Sequence, residues 1–284
     1  ADSGRSKAFS IREYFVLSTM APSLNLSQDV DELPFTVKPD KKVSVQDVFA
    51  YYRQTYEGTE FDMSKNLQVQ ARRRYGQPAP EEGATITSPL ANNFMSYDMT
   101  NLLNTLKPGT IERQRTIAIA GCSYSQVCQV RGWLPDEIGG IAWFSFDNPG
   151  QSPRIPVYSG VLSLPESFEV CAQKRYRTDA AAWHFRRANR LAQVRWGVAR
   201  EYLEGAVAEF EEKAMMEIPL IDKKAVELYN MEKDKEVVFD SNGNPVPPEY
   251  RVFLTKYTGD FARAAMNKWW ELGNQFWGMF GRGF

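Results

Sequence analysis

Polar and apolar residues alternate most regularly between residues 115 and 160, and the pattern predicts several strands in a row. Arg115-Thr116-Ile117-Ala118-Ile119-Ala120 alternates, as does Ser125-Gln126-Val127-Cys128-Gln129-Val130. Such alternation suits sheet with one buried side. Ile141-Ala142-Trp143-Phe144-Ser145-Phe146 is nearly continuous in apolar character and predicts a central strand. The link from Gly132 to Gly140, with Pro135 and a Gly-Gly pair, suits antiparallel neighbours. Pro153-Arg154-Ile155-Pro156-Val157-Tyr158 carries two prolines and belongs at an edge or rim.

Before this region, residues 1–43 read as loop and short strand, with Tyr14-Phe15-Val16-Leu17 as a short apolar run. Ser44 is placed as an N-cap, Val45, Val48, Phe49 and Tyr52 follow at helical spacing, and Gly58 is placed to end that helix. Residues 64–93 read as a long surface excursion, and Met95 to Leu106 as a short helix stopped by Lys107-Pro108-Gly109. After Thr178 the period changes to that of helices. One runs to about Met216 on a stripe of Ala188, Leu191, Ala192, Ala199, Tyr202, Ala206 and Phe210, with Arg195 interrupting and Pro219 as the stop. Val237-Val238-Phe239 before Asp240-Ser241-Asn242-Gly243 predicts a small hairpin. A last helix, from about Asp260, carries Phe261, Ala265, Trp269, Leu272, Phe276 and Phe280 on one face. The expectation is an α+β chain: a sheet-forming part over 1–177 with a helical insertion near 44–106, then a helical region over 178–284 with a hairpin near 237–247.

Composition narrows the functions this chain can have. With 34 basic and 35 acidic residues, it has no basic excess with which to grip nucleic acid. Arg72-Arg73-Arg74 is its only basic run and reads as a solvated loop edge. No apolar run approaches the roughly 20 residues that span a bilayer. Three cysteines and a single histidine make neither an even disulfide framework nor a typical zinc site, so no metal or cofactor is expected. Cys122, Cys128 and Cys171 read as small buried hydrophobes, in preference to a nucleophile working with His184.

The candidate chemistry lies at strand ends. Ser123 and Ser125 would share one face of a strand, with Tyr124 on the other, as substrate-facing hydroxyls or as groups satisfied by nearby backbone. Arg115 and Arg131 could bind a ligand carboxylate in bidentate fashion, or form structural ion pairs. Asp147 and Asn148 stand where a strand opens into a loop, suited to holding a free amine or to making a turn.

Tyr56-Glu57-Gly58-Thr59, Arg115-Thr116, Ser123-Tyr124-Ser125, Val127, Gln129, Arg131, Trp133-Leu134-Pro135, Gly139 to Phe144, and Pro156 to Gly160 occur in that order. Together with Ala182-Trp183 and Arg187 to Leu191, they resemble the dipeptidase A family of cysteine peptidases, within the N-terminal-nucleophile hydrolases. The resemblance covers roughly residues 8 to 215. It implies an αββα sandwich of antiparallel sheets and hydrolysis of short peptides by an N-terminal Cys whose own α-amine is the base. Here residue 1 is Ala1, so the resemblance implies that the nucleophile lies upstream, on an N-terminal portion acting as partner. This would make the chain the C-terminal part or subunit of such an enzyme, with a homo-oligomer also open. A start without Met leaves an extracytoplasmic location open. A non-catalytic assembly subunit and a hydrolase of non-peptide amides are the competing expectations.

Overall fold

The computed structural model describes residues 9–72 and 78–281, so the start at Ala1 and two arginines of the basic run, Arg73 and Arg74, lie outside the described residues. The chain divides into two compact units, Ala1–Ile119 and Ala120–Phe284. The change from strand to helix pattern near residue 177 falls inside the second unit.

In the first unit, α1 (Ile11–Met20) occupies the segment expected to be strand. Four apolar residues in a row fit either element, and the ends decide. Ser10 and Glu13 form a reciprocal capping box, the Ser10 amide donating to Glu13 Oε2 at 2.6 Å. A 3₁₀ turn (Pro22–Leu24) follows. Helix α2 (Val45–Tyr52) starts at Ser44 as expected, again through a capping box, here with Asp47. It stops at Tyr52, well short of Gly58; the chain then turns with Tyr56 and Gly58 both at positive φ. Tyr56 is fully buried against Phe15, and its hydroxyl donates to the Arg115 carbonyl at 3.1 Å. Strands β1 (Gln68–Gln70) and β2 (Thr85–Thr87) form a small exposed hairpin, and α3 (Tyr97–Leu106) is capped by Ser96.

The alternating run from Arg115 is not a strand. Its backbone is satisfied piecemeal: the Thr116 carbonyl accepts from Arg12 Nε at 2.8 Å, and the Ala118 amide donates to the Gln54 carbonyl at 3.0 Å. Alternation supplies a buried side but no ladder partner, and without one a strand does not form.

The second unit is built on one antiparallel sheet, β3 (Tyr124–Val130), β4 (Gly140–Phe146) and β5 (Ile155–Tyr158), in that spatial order. As the pattern predicts, β4 is central, and β5, with Pro156, is at an edge. The β3–β4 link contains a single helical turn, α4 (Asp136–Gly139), in place of a tight hairpin. Gly139 is required there, since a Cβ would sit 2.7 Å from the Arg131 carbonyl oxygen. A second short turn, α5 (Glu166–Glu169), leads towards the helices.

Helix α6 (Ala181–Val194) ends where Arg195 breaks the stripe, and α7 (Trp196–Glu232) continues past Pro219. The proline is tolerated because the turns beyond it still bury Ala225 and Leu228, and Tyr229 packs edge-on against Tyr250. Helix α8 (Glu249–Phe280) starts after Pro248, about three turns earlier than its aromatic face suggests. That face is the core of the unit: Phe261, Ala265, Trp269, Leu272 and Phe276 are all buried. Between α7 and α8 the expected hairpin is present, with Gly243 at φ 78° and the Asp240 carboxylate accepting from the amides of Asn242 and Asn244. The class is therefore α+β, with small antiparallel sheets and C-terminal helices. No helix among the described residues is long and apolar enough to cross a membrane.

Candidate functional site at one end of the sheet

The β3–β4 pairing places Tyr124 opposite Phe146 and Ser125 opposite Ser145. Immediately beyond, the Asp147 amide donates to the Ser123 carbonyl at 2.8 Å, which ties the two strands at this end. Asp147 itself adopts φ 57°, a left-handed conformation that aspartate tolerates better than most residues. Ser123, Tyr124, Ser125, Asp147 and Asn148 are thus brought together. Ser123 precedes β3, so it does not share a sheet face with Ser125 as a strand would impose. Tyr124 is exposed and stacks on Phe144 at 5.6 Å.

The loop that follows β4 is buried although it is polar. Asp147, Asn148, Gln151, Ser152 and Arg154 all have almost no exposure. Interiors tolerate such groups only when they are hydrogen-bonded, and here the bonds interlock. Asp147 Oδ1 accepts from Arg186 Nε at 2.7 Å, and Oδ2 from Asn189 Nδ2 at 3.0 Å. The same Asn189 amide donates to Ser152 Oγ at 2.9 Å. Asn148 Nδ2 donates to Gln151 Oε1, and Asn148 Oδ1 accepts from the Gly150 amide. The Trp269 indole N–H is shared between the Gln151 carbonyl and Asn189 Oδ1, at 3.2 and 3.1 Å. Arg154 Nη1 donates to Ser125 Oγ at 2.9 Å, and its amide to Glu211 Oε1. Helices α6, α7 and α8 therefore each fix this one loop.

Arg131 is elsewhere in the second unit. Arg131 ends β3 at the opposite end, roughly 20 Å away at about 3.3 Å per residue. It is buried, ion-paired with Asp222, and donates to the carbonyls of Gly139 and Ile138. The Tyr158 hydroxyl completes that cluster, donating to Asp222 at 2.8 Å. Burial, then the neighbouring Asp222, pushes the Tyr158 phenol well above its ordinary range. Arg115 belongs to the first unit, where its side chain is exposed.

Sequence reading missed Arg154, Arg186 and Asn189. Asn189 left a trace: it is a polar residue on the α6 face that buries Phe185, Ala188 and Ala192. Arg154 had another, being a charge held between two prolines inside a strand signal. Arg186 had none, because arginine on a helix is ordinary.

The cysteines are not the small buried groups expected: Cys128 and Cys171 are exposed, and Cys122 is half-buried. The Cys122 thiol donates to the Tyr124 carbonyl at 3.1 Å, and burial, reinforced by Asp147, raises its pKa. Both effects disfavour the thiolate, the reactive form of cysteine. His184 engages the Thr178 carbonyl and packs on Trp270. Among the described residues no three His, Cys, Asp or Glu side chains gather as a metal site. A groove of about 730 Å³ in the first unit is mainly apolar, with Arg12, Glu13 and Glu32 among its lining beside Phe9, Leu17 and Leu33. The buried, interlocked polar groups are at the sheet end instead.

The sequence model of Peptidase family C69 matches residues 5–209, well over half of the chain. The chain belongs to peptidase family C69. This is the dipeptidase A family to which the ordered motifs pointed. The match takes in both units up to the middle of α7, and with them every member of the polar network except Trp269 and Glu211. A probable dipeptidase of Latilactobacillus sakei is 22% identical over 166 residues, 57% of this chain. That match spans 26% of the relative's own length.

Proposed function

We propose that this C69 chain is the C-terminal portion of a cysteine-type dipeptidase, forming its sheet and cleft wall, with the attacking thiol supplied from outside this sequence. The observation that carries the reading is the family match over a sheet end where Ser125, Asp147, Arg154 and Arg186 are locked in place. Rigid polar groups at the ends of strands suit positioning of a reacting amide. The surroundings of the cysteines support the second half of the proposal: burial and Asp147 disfavour the Cys122 thiolate, and among the described residues no cysteine is hydrogen-bonded to His184.

In such an enzyme the thiolate of an N-terminal Cys attacks the scissile carbonyl carbon. The α-amine of that residue, with an ordinary pKa of about 8, takes the thiol proton and returns it to the departing amine. Water then releases the acyl group. This chain would hold the peptide and shape the cleft, and the N-terminal portion of the enzyme is its partner. One face of the sheet fits a layered arrangement, since Tyr124 and Val130 are exposed there, and Phe144 and Val157 half-exposed.

Turnover of unsubstituted dipeptides, measured together with intact-mass and N-terminal analysis of the active material, tests this. The expected result is hydrolysis by a preparation that includes a chain beginning with Cys. Cleavage of non-peptide amides alone would move the assignment to another hydrolase. No turnover with that Cys intact would leave an assembly role.

A further inference from the structure

We propose that Arg186 anchors the C-terminal carboxylate of the bound peptide and so makes the site selective for free dipeptides; this rests on the dipeptidase reading above. A guanidinium carries five N–H donors in a rigid plane. Two of Arg186's are committed, Nε to Asp147 Oδ1 at 2.7 Å and Nη2 to the Cys122 carbonyl at 3.1 Å. Its plane is further constrained by the Trp183 ring, 5.8 Å away. Nη1 makes no hydrogen bond to the described residues. The side chain is 31% exposed, whereas the Asp147 that orients it is 2% exposed. The arrangement is an arginine aimed from behind by a buried carboxylate, with Nη1 left over at the outer edge of its fork.

Arg131, Arg154 and Arg187 do not offer this. Arg131 has Nε and both Nη atoms engaged, and Arg154 has no exposure. Arg187, next along α6, donates to the Trp270 carbonyl and Asn274, on the side of α8. The open edge of Arg186 fits two oxygens in one plane, which is the shape of a carboxylate. Because Asp147 already balances its charge, the selectivity comes from hydrogen-bond geometry, and lysine is no substitute.

The test compares kcat/KM for Ala-Ala and for Ala-Ala-amide in the enzyme that contains this chain. Wild type is expected to prefer the free acid about tenfold or more, the size of one charge-assisted pair. Arg186→Lys should raise KM for Ala-Ala about tenfold and bring the ratio of kcat/KM for acid over amide close to one. Arg187→Lys should keep the preference. A folded Arg186→Lys enzyme that still prefers the acid overturns the proposal while leaving the dipeptidase reading intact. A wild type that cleaves both substrates equally overturns it without any variant. A wild type that cleaves neither removes the reading on which it rests.

Discussion

The two ends of β3 each carry an arginine–aspartate pair, and the pairs are built differently. At the far end Arg131 and Asp222 are both largely buried, 7% and 15% exposed, and the arginine also donates to two backbone carbonyls. At the near end only the carboxylate is buried; Arg186 reaches towards solvent with donors to spare. A closed pair joins elements, here the sheet to α7. An open pair fixes the orientation of an arginine whose remaining donors face outward. Burial of both partners, rather than the ion pair itself, separates the structural site from the candidate functional one.

The closed pair is expected to give the largest effect when broken. Arg131→Met leaves Asp222 buried with only the Tyr158 hydroxyl, which should cost about 3–5 kcal/mol. Urea unfolding of the variant measures this, and a loss below about 1 kcal/mol would contradict the structural role. Asp147→Asn should cost less, about 1–2 kcal/mol, because Arg186 can turn to water once released. Asparagine accepts the left-handed backbone, so the loss reports the carboxylate and not the turn. The same variant should raise KM for a dipeptide more than it lowers kcat, since it frees the anchor without removing it.

A high-pH titration sharpens the contrast further. The folded pKa of Tyr158 lies above the unfolded value of about 10, so its contribution to stability is fully present below pH 10 and declines as pH rises beyond it. Phenolate absorbance should show that this tyrosine ionises only with unfolding, and Tyr158→Phe should remove that late step. Early, reversible ionisation of Tyr158 would mean that the closed end is open to solvent.

Much of the second unit could be read from the chain. The continuous apolar run of β4 and the two prolines of β5 placed the centre and the edge of the sheet. The strand ends collected five of the seven candidate residues at one place, because Ser123 to Ser125 and Asp147-Asn148 are brought together by a short antiparallel pairing. Arg131 is apart from them because it follows β3 at the other end of the strand, and Arg115 belongs to the first unit, in an alternating run that finds no ladder partner. Pro219 was read as a stop because local propensity opposes it, and packing against α8 overrode that preference. Arg186 was invisible since its role comes from a contact 39 residues distant in the chain.

The central claim is that this chain holds the peptide while the reactive sulfur comes from elsewhere. Replacing Cys122, Cys128 and Cys171 together by serine, in the enzyme that contains this chain, tests it most directly. The account predicts dipeptide hydrolysis within about twofold of wild type, with thiol alkylation still inactivating the enzyme. Loss of hydrolysis in a folded triple variant, traced to Cys122 alone, would contradict it.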